Sequence, residues 1–477
     1  MTLKLYNTLT RRQEEFAPLV AGNVTMYYCG VTVYDYCHLG HARACIVWDV
    51  VRRYLQFLGY KVRYVQNFTD IDDKILNRAR QENSSMQEVA EKYIQAYFED
   101  MARLNVKEAD EYPRATHTID GIKRLIHELE QKDCAYATGG DVYYKVRSFA
   151  EYGKLSGRKL EDMQAGGSGR VDAADLEAQK KQDPFDFALW KGAKPGEPAW
   201  ESSWGEGRPG WHIECSAMVR DRLGDTIDIH AGGADLIFPH HENEIAQSEA
   251  VTGKPLARYW LHNGMVTVDD EKMSKSLGNF ITIRELLDRP TDPMAVRLFV
   301  LMAHYRKPID FSDRALESAQ NGWQTLKEGL LFGLRYGEQL GWSSNGKTDL
   351  EATERFQVAV NEDFNFSSGL SVLFEIAKDL QREGNILVHQ GNTVTSPTQL
   401  QSMWQTLVKL ADVLGLEAHL EAESVEGLSD EEIEQLVEQR AIARKAKNFA
   451  QSDQIRARLL EHGITVIDSA DGSKWHR

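Results

Sequence analysis

The sequence lacks any stretch of about 18 consecutive apolar residues, the length at which a membrane-spanning helix is predicted. Its first segment, MTLKLYNTLTRRQEEF, also lacks the apolar core of a secretory signal. We therefore expect a cytoplasmic protein with no membrane partner. Because single hydrophobic cores rarely exceed about 250–300 residues, a chain of 477 residues is expected to form several domains.

Cysteine is scarce, with five residues in the chain and no CxxC pair among them. This pattern excludes a disulfide framework and a zinc finger. In a reducing compartment, each cysteine is by default a small buried apolar side chain. Cys29 and Cys37 nevertheless lie with two histidines in CGVTVYDYCHLGHAR. These four side chains either form one metal site or serve separate tasks.

Positive charge is in deficit, since the net charge is −16 and the pI is about 5.4. This acidity excludes indiscriminate nucleic-acid binding but not a local basic surface. The last segment reverses the balance, because Asp453 is the only acid between Arg440 and Arg458. Such a face is either a solvated helix surface or a site for RNA phosphates.

Several common catalytic motifs are absent. No GxxxxGK[ST] phosphate loop occurs, and neither HExxH nor a deaminase HxE…PCxxC pattern is present. A P-loop nucleotide site is therefore excluded, and a zinc hydrolase is disfavoured. An HLGH segment at residues 38–41 and a KMSKS segment at residues 272–276 are present instead.

The order of predicted elements favours an α/β fold. Residues 24–29 read as a buried strand, a helix is expected from Ala42 to a stop at Gly59, and KVRYVQNFTD reads as a second strand. This order predicts a parallel, nucleotide-binding sheet. Short strands and a Gly-rich loop between Ile122 and Arg208 predict an insertion, after which DTIDIHAGGADLIF resumes the sheet. Residues 312–416 read as helical, and Ser429 begins a capping box.

The HLGH and KMSKS segments together indicate a triphosphate site. His38 and His41 can place ring nitrogens beside phosphate oxygens, and Gly40 allows close approach to a helix start. Lys272 and Lys275, with Ser274 between them, can close a mobile loop over the phosphates. Taken singly, HLGH is also compatible with a metal pair and KMSKS with a solvated turn.

Four residues form a chemically sensible metal set. His240 and Glu244 are four positions apart, which places them on one helical face and directs His241 elsewhere. Cys29 follows a strand, and Cys215 lies in WHIECS. Two thiolates, an imidazole and a carboxylate suit zinc, although buried structural cysteines are the common alternative.

These motifs, with NFTDIDDKI at residues 67–75, PGWHIECSAM at 209–218 and FPHHENEIAQS at 238–248, resemble those of the cysteinyl-tRNA synthetases, a class I aminoacyl-tRNA synthetase family. The resemblance extends through almost the entire chain. It implies a Rossmann-like parallel-sheet catalytic domain with an insertion, then a helical bundle and a small C-terminal anticodon-binding domain. The implied boundaries are 1–121 and 209–310 for the catalytic halves, 122–208 for the inserted connective domain, 311–420 for the bundle and 421–477 for the C-terminal domain.

The same resemblance implies a reaction and its partners. L-cysteine and ATP, with Mg²⁺ expected, form an adenylate, and the cysteinyl group passes to the terminal adenosine of tRNA(Cys). One zinc ion per subunit on Cys29, Cys215, His240 and Glu244 selects the thiol over the hydroxyl of serine. Thr69, Trp211 and His230 would border the amino acid, and Cys37 and Cys45 would only pack. The tRNA contacts are expected at Arg440, Arg444, Lys445, Arg456, Asp468 and Trp475. A monomer is expected.

Two rival functions share parts of this pattern. An ATP-dependent ligase that joins cysteine to an amino sugar would keep the metal and nucleotide motifs, but the long basic C-terminal region disfavours it. A catalytically idle RNA-binding relative would not need HLGH, KMSKS and the metal quartet together.

Overall fold

The computed structural model describes residues 2–162, 180–269, 271–273, 279–343, 346–420, 430–446, 448–469 and 472–476. The strands are β1 (Lys4–Asn7), β2 (Arg12–Glu15), β3 (Asn23–Thr32), β4 (Lys61–Thr69), β5 (Ala135–Thr138), β6 (Asp141–Tyr144), β7 (Phe187–Gly192), β8 (Gly207–Pro209), β9 (Ile227–Gly233), β10 (Ala257–Asn263), β11 (Val266–Val268), β12 (Glu271–Lys272), β13 (Ile309–Phe311), β14 (Thr465–Ser469) and β15 (Gly472–His476).

The α-helices are α1 (Leu39–Phe57), α2 (Asp73–Glu82), α3 (Met86–Arg103), α4 (Ile119–Gln131), α5 (Trp211–Leu223), α6 (Glu242–Thr252), α7 (Ile283–Leu287), α8 (Pro293–Leu301), α9 (Asp313–Tyr336), α10 (Leu350–Val360), α11 (Phe366–Gln390), α12 (Pro397–Val413), α13 (Asp430–Lys445) and α14 (Phe449–Glu461). Among these described helices, none is long and apolar enough to cross a membrane.

A four-stranded parallel sheet in the order β10-β9-β3-β4 forms the centre of the molecule. Its strands are largely buried, as expected when helices cover both faces of a parallel sheet. The predicted strand–loop–helix–strand order is confirmed. Helix α1 begins at Leu39, before the predicted Ala42, because the His38 side chain caps it by accepting a hydrogen bond from Gly40 N. It ends at Phe57, just before the predicted stop at Gly59.

The insertion is an antiparallel sheet in the order β5-β6-β7-β8, preceded by α4. It stands between β4 and β9 of the central sheet, so it divides that sheet in sequence as predicted. Residues 163–179 of the predicted Gly-rich loop lie outside the described residues. The core of the insertion, which includes Ile122 and Trp190, is continuous with Ile213 of α5 and Ala246 of α6. The insertion is therefore packed directly on the two helices that follow it.

Helices α9 to α12 confirm the helical region predicted for residues 312–416. Gly329 of α9 lies against Ala377 of α11, where an added Cβ would come within 2.7 Å of the Ala377 Cα. Arg297 of α8 ties this region to the catalytic domain. Its guanidinium binds Asp49 of α1 and donates to the carbonyl of Leu414 at 2.7 Å.

The C-terminal unit packs α13 and α14 against the β14–β15 hairpin. Its small core contains Ile433, Val437, Leu459 and Ile464, with Trp475 packed against it. The predicted capping residue Ser429 lies outside the described residues, and α13 is described from Asp430.

Candidate metal and nucleotide site

Four side chains from separate parts of the sequence converge at the carboxyl end of β3. The side-chain donor atoms of Cys29, Cys215, His240 and Glu244 all lie within 4.8 Å of one another, and all four residues are buried. Cys29 Sγ lies 3.2 Å from Glu244 Oε1, and His240 Nε2 lies 3.1 Å from the same oxygen. The quartet expected from the sequence is thus brought together by β3, α5, the turn before α6 and α6 itself.

The expectation that His241 points elsewhere is wrong. Residues three apart on a helix also face one another, and His241, whose backbone is helical, lies three positions before Glu244. The ring of His241 is buried, with Nε2 3.9 Å from Glu244 Oε1. Cys29, His230, His241 and Glu244 consequently form a second set of clustered donors that shares two members with the first.

The electrostatics of the quartet favour a positive charge at its centre. Burial would lower the pKa of His240, but the Glu244 carboxylate and Cys215 raise it to about 9. Burial would likewise raise the pKa of Glu244, yet His230 and His240 hold it well below its usual value. The hydrogen bond from Cys29 lowers the pKa of Cys215 to about 6, whereas burial raises that of Cys29.

The donor set fits a metal ion. Two sulfurs, an imidazole nitrogen and a carboxylate oxygen converge where water does not reach them. Buried acceptors that face one another at 3.2 Å repel unless a cation or proton lies between them. Thiolate, imidazole and carboxylate donors are the ligands by which proteins bind zinc.

Two of the three expected cysteine-pocket residues border this group. The indole of Trp211 stacks on the ring of His240 at 4.2 Å between centroids, with 27° between the planes. His230 Nε2 lies 3.1 Å from Glu244 Oε2 and 3.6 Å from Cys29 Sγ. Thr69 lies at the end of β4 and donates to Glu214 at 3.0 Å. The sequence pattern did not single out His212, whose Nδ1 is 3.0 Å from His240 Nδ1.

The HLGH segment presents two histidines in defined tautomers. His38 Nδ1 accepts from Gly40 N at 3.0 Å, and His41 Nδ1 accepts from His38 N at 3.3 Å. The rings stack at 3.7 Å between centroids. Burial lowers the pKa of His41 well below its usual value, and His38 and Lys74 act in the same direction. Since each Nδ1 is an acceptor, the proton of the neutral ring resides on Nε2, which can donate to a phosphate.

The chain around KMSKS runs beside HLGH. Lys272 ends β12, which pairs with β11, and Ser274 to Gly278 lie outside the described residues, as does the Lys275 predicted to bind ATP. Beyond Gly278, Ile281 O accepts from Leu39 N at 3.1 Å, and Ile283 N donates to Cys37 O at 2.9 Å. The backbone after KMSKS is therefore hydrogen-bonded to the residues on either side of His38.

Comparisons with known proteins identify the family. The family described as tRNA synthetases class I (C) catalytic domain matches residues 15–321, and the DALR domain matches 355–419. The Cysteinyl-tRNA ligase anticodon binding domain matches 427–475. A Cysteine–tRNA ligase of Gloeothece citriformis is 70% identical over 486 residues, and one of Rippkaea orientalis is 67% identical over 484, each covering 100% of both chains.

The chain belongs to the cysteine–tRNA ligase family. It is therefore an ATP-utilising class I aminoacyl-tRNA synthetase. Solved structures agree on the fold. An Agrobacterium radiobacter LeuRS in a ternary complex with tRNA and LeuAMS has a TM-score of 0.59 at 12% identity, covering 84% of this chain and 85% of that one. Mycobacterium tuberculosis methionyl-tRNA synthetase has a TM-score of 0.52 at 15% identity, covering 82% and 89%.

The C-terminal cations of this family member differ in exposure. Arg444, Lys445 and Arg456 are exposed on α13 and α14, whereas Arg440 is only 4% exposed. Trp475 is half-buried against the local core, and the side chain of Asp468 lies outside the described residues. The sequence pattern did not single out Phe449, which is 62% exposed at the start of α14. An aromatic residue just after a basic run, at a helix start, is the signal that could have found it.

Proposed function

We propose that the protein activates L-cysteine with ATP and transfers the cysteinyl group to the terminal adenosine of tRNA(Cys). The observation that carries this proposal is a buried quartet beside Trp211, formed by Cys29, Cys215, His240 and Glu244. The quartet lies at the carboxyl end of the parallel sheet, where the chain continues from β3 into the HLGH turn. Ligands of open parallel sheets bind at such carboxyl ends. The quartet would recognise the side chain of the amino acid from this position.

The quartet would hold one zinc ion per subunit. When bound, zinc would lower the pKa of a thiol and accept its sulfur strongly, while a serine hydroxyl is a poor ligand. Shape alone distinguishes such near-isosteres by only about 10–200-fold. Trp211, which stacks on His240, would limit the volume of the pocket, and His230 and Thr69 would contact the rest of the amino acid.

The HLGH and KMSKS residues would bind the triphosphate. His38 and His41, whose Nδ1 atoms accept backbone hydrogen bonds, would donate from Nε2 to the phosphates, and Gly40 would allow close approach to the start of α1. Lys272, Ser274 and Lys275 would neutralise charge that develops at the α–β bridge, with Mg²⁺ on the phosphates. Catalysis is then positioning and electrostatic stabilisation, without a covalent enzyme intermediate.

The C-terminal unit would bind the anticodon arm. Arg444, Lys445 and Arg456 are placed to hold phosphates, and the exposed ring of Phe449 suits stacking on an unpaired base. The burial of Arg440 supports a structural role within the C-terminal unit and not a contact with tRNA. Asp468 stays a candidate for base recognition, and Trp475 combines packing with partial exposure.

The domain boundaries proposed for this enzyme are those expected from the sequence: 1–121, 122–208, 209–310, 311–420 and 421–477. The family matches at 15–321, 355–419 and 427–475 support a separation into a catalytic region, a helical region and a C-terminal domain. The cytoplasmic location and the monomeric state expected from the sequence are part of the proposal.

ATP–pyrophosphate exchange with cysteine and with serine tests the activation step, and charging of tRNA(Cys) tests the transfer step. We expect exchange with cysteine alone, followed by charging. An amino sugar offered in place of tRNA tests the rival ligase. Cysteine-dependent exchange that leads to an amide with the sugar, and not to charged tRNA, would contradict the proposal.

A further inference from the structure

Residues 280–284 pack along the chain where it enters the HLGH turn. Besides the backbone hydrogen bonds described above, Thr282 forms a β-bridge with His38. The ring of Phe280 meets the ring of His38 edge-on, at 5.1 Å between centroids and 80° between the planes. Arg284, in α7, lies over Tyr36, and its guanidinium carbon is 4.9 Å from the centroid of that ring. The entry to the turn is therefore contacted by backbone, by an aromatic ring and by a cation from one short segment.

The guanidinium of Arg284 is fixed by the last turns of α3. It pairs with the carboxylates of Glu99 and Asp100, the second of them 2.9 Å from Nε, and donates to the carbonyl of Ala96 at 3.3 Å. Asp100 is only 1% exposed, so this ion pair reaches into the interior of the protein. Hydrogen bonds of a planar guanidinium to carboxylates are directional. The position of Arg284 over Tyr36 is thus set before any substrate binds.

Tyr36 lies between two such fixed groups. Arg284 covers its ring, and Tyr93 of α3 meets the ring edge-on at 5.3 Å between centroids and 84° between the planes. Tyr93 is buried, with 2% of its surface exposed. An arginine over an aromatic ring is attracted by the ring quadrupole and also stacks its flat face on it. Because Cys37 and His38 follow Tyr36 directly, a shift of Tyr36 would displace the first histidine of HLGH.

We infer that Arg284 is a positioning residue for adenylate formation, and that it acts through Tyr36 to hold His38 and His41 against the triphosphate. The inference rests on the proposed function, in which the two histidines donate from Nε2 to the phosphates. His41 depends on the same support, because its ring stacks on that of His38 at 3.7 Å between centroids. Catalysis by positioning is sensitive to small displacements, since a shift of about 1 Å can cost on the order of 100-fold in rate.

A second arginine provides a matched control. Arg103, the last residue of α3, donates to the carbonyl of Leu287 at 2.8 Å and pairs with Asp288 at 3.4 Å. It therefore joins the same two helices as Arg284, but at the end of α7, whereas Arg284 lies at its start. Removal of the Arg103 side chain weakens the attachment of α7 to α3 and leaves the cation over Tyr36 in place.

The test uses the full-length enzyme with Arg284→Gln, Tyr36→Leu, the two combined, Tyr36→Phe and the control Arg103→Gln. Cysteine-dependent pyrophosphate exchange is measured over a range of ATP and of cysteine concentrations, and each rate is divided by the folded fraction from circular dichroism. Arg284→Gln and Tyr36→Leu should each lower kcat/KM for ATP by about tenfold. The KM for cysteine should stay the same, since neither residue belongs to the quartet that would bind the thiol.

Two further comparisons test the route through the tyrosine. If Arg284 acts through Tyr36, the double variant should lose no more of kcat/KM for ATP than the larger of the two single losses. Tyr36→Phe keeps the ring beneath the guanidinium and should lose far less than Tyr36→Leu. Arg103→Gln should lower the free energy of unfolding without lowering kcat/KM for ATP.

The results that overturn the inference differ from those that overturn the proposed function. Equal losses of kcat/KM in Arg284→Gln and Arg103→Gln would show that Arg284 only joins α7 to α3. Losses that add in the double variant would show that Arg284 does not act through Tyr36. If the wild-type protein catalyses exchange and Arg284→Gln keeps its kcat/KM for ATP, the positioning role is wrong and the proposed function stands. A wild-type protein without cysteine-dependent exchange would contradict the proposed function, and the inference with it.

Discussion

Cys29 Sγ and Glu244 Oε1 lie 3.2 Å apart in the interior of the protein, although 215 positions separate the two residues in the sequence. A sulfur and a carboxylate oxygen this close, away from water, are stable only with a proton or a cation between them. His240 and Cys215 complete the set of donors around the same point. One strand end and two helices thus surround the four donor atoms, and the position between these atoms favours a positive charge.

Lys275→Ala should impair adenylate formation far more than cysteine binding, because the KMSKS lysine acts on charge that develops in the transition state. We expect a loss of about 2–4 kcal/mol in transition-state stabilisation, measured as kcat/KM for cysteine-dependent pyrophosphate exchange. Lys254→Ala is a matched control, since Lys254 is an exposed lysine that pairs with Asp225. An unchanged kcat/KM for pyrophosphate exchange in Lys275→Ala would contradict a catalytic role for KMSKS.

The double variant Arg444→Gln with Lys445→Gln should weaken whole-tRNA binding and leave pyrophosphate exchange intact, because both exposed cations belong to the C-terminal unit. The slope of log affinity against log salt should become shallower by about 0.7–0.9 for each phosphate that is no longer bound. Lys378→Gln, at an exposed lysine of α11, should change neither the affinity for tRNA nor its salt dependence. Equal charging kinetics and equal salt dependence in both variants would contradict the anticodon role.

Arg297→Met should destabilise the enzyme strongly. The guanidinium is fully buried, binds Asp49 and donates to the carbonyl of Leu104 at 2.9 Å. Its removal leaves buried carbonyls without a donor and leaves Asp49 with Arg53 as its remaining cation. We expect a loss of about 3–5 kcal/mol in the free energy of unfolding by urea. Arg355→Met removes a pair with Glu375 in which both side chains are at least half exposed, and it should cost only about 0–1 kcal/mol. Similar losses of unfolding free energy in the two variants would show that the buried pair stabilises the protein no more than the exposed pair does.

Acid should destabilise the protein partly through His262. Burial lowers its pKa to about 3, below the value of about 6.5 for an exposed imidazole in the unfolded chain. Between these pH values the unfolded chain binds the additional proton. The contribution to stability is therefore complete above about pH 6.5 and falls by up to about 1.4 kcal/mol per pH unit as the pH decreases.

His262→Asn should accordingly flatten the dependence of the free energy of unfolding on pH between about 5 and 7, whatever its effect on the absolute value. Urea unfolding followed by tryptophan fluorescence at several pH values measures this slope. His389→Asn, at an exposed histidine of α11, is the matched control and should keep the wild-type slope. An identical slope in wild type and His262→Asn would contradict a neutral buried imidazole.

The central sheet can be predicted because its signals are local. Strand β3 is a short apolar run, and α1 has helical spacing. The sequence pattern places the start of α1 too late, since histidine is an uncommon cap and its bond to Gly40 N is not visible as a pattern. The β1–β2 hairpin escapes prediction, because RQEE in β2 shows no apolar alternation and stays exposed at an edge.

The quartet can be expected only by combining composition with family motifs, since no spacing in the sequence brings Cys29 to Glu244. The predicted direction of His241 is wrong because it considers only the four-residue spacing of His240 and Glu244, whereas residues three apart on a helix also share a face. Arg440 is buried although the sequence groups it with the exposed cations, because the charge along a segment does not tell which face packs inward.

Metal binding by the quartet, with selection of the substrate thiol, is the central claim, and cobalt substitution tests it most directly. The isolated enzyme should contain about one tightly bound zinc per chain. In the cobalt form, added cysteine should shift or intensify the sulfur-to-metal charge-transfer band, and serine should not. Cys215→Ser should lose the metal, while Cys37→Ser, in the apolar core, should retain it. Identical spectra with cysteine and serine, or metal retained in Cys215→Ser and lost in Cys37→Ser, would contradict the account.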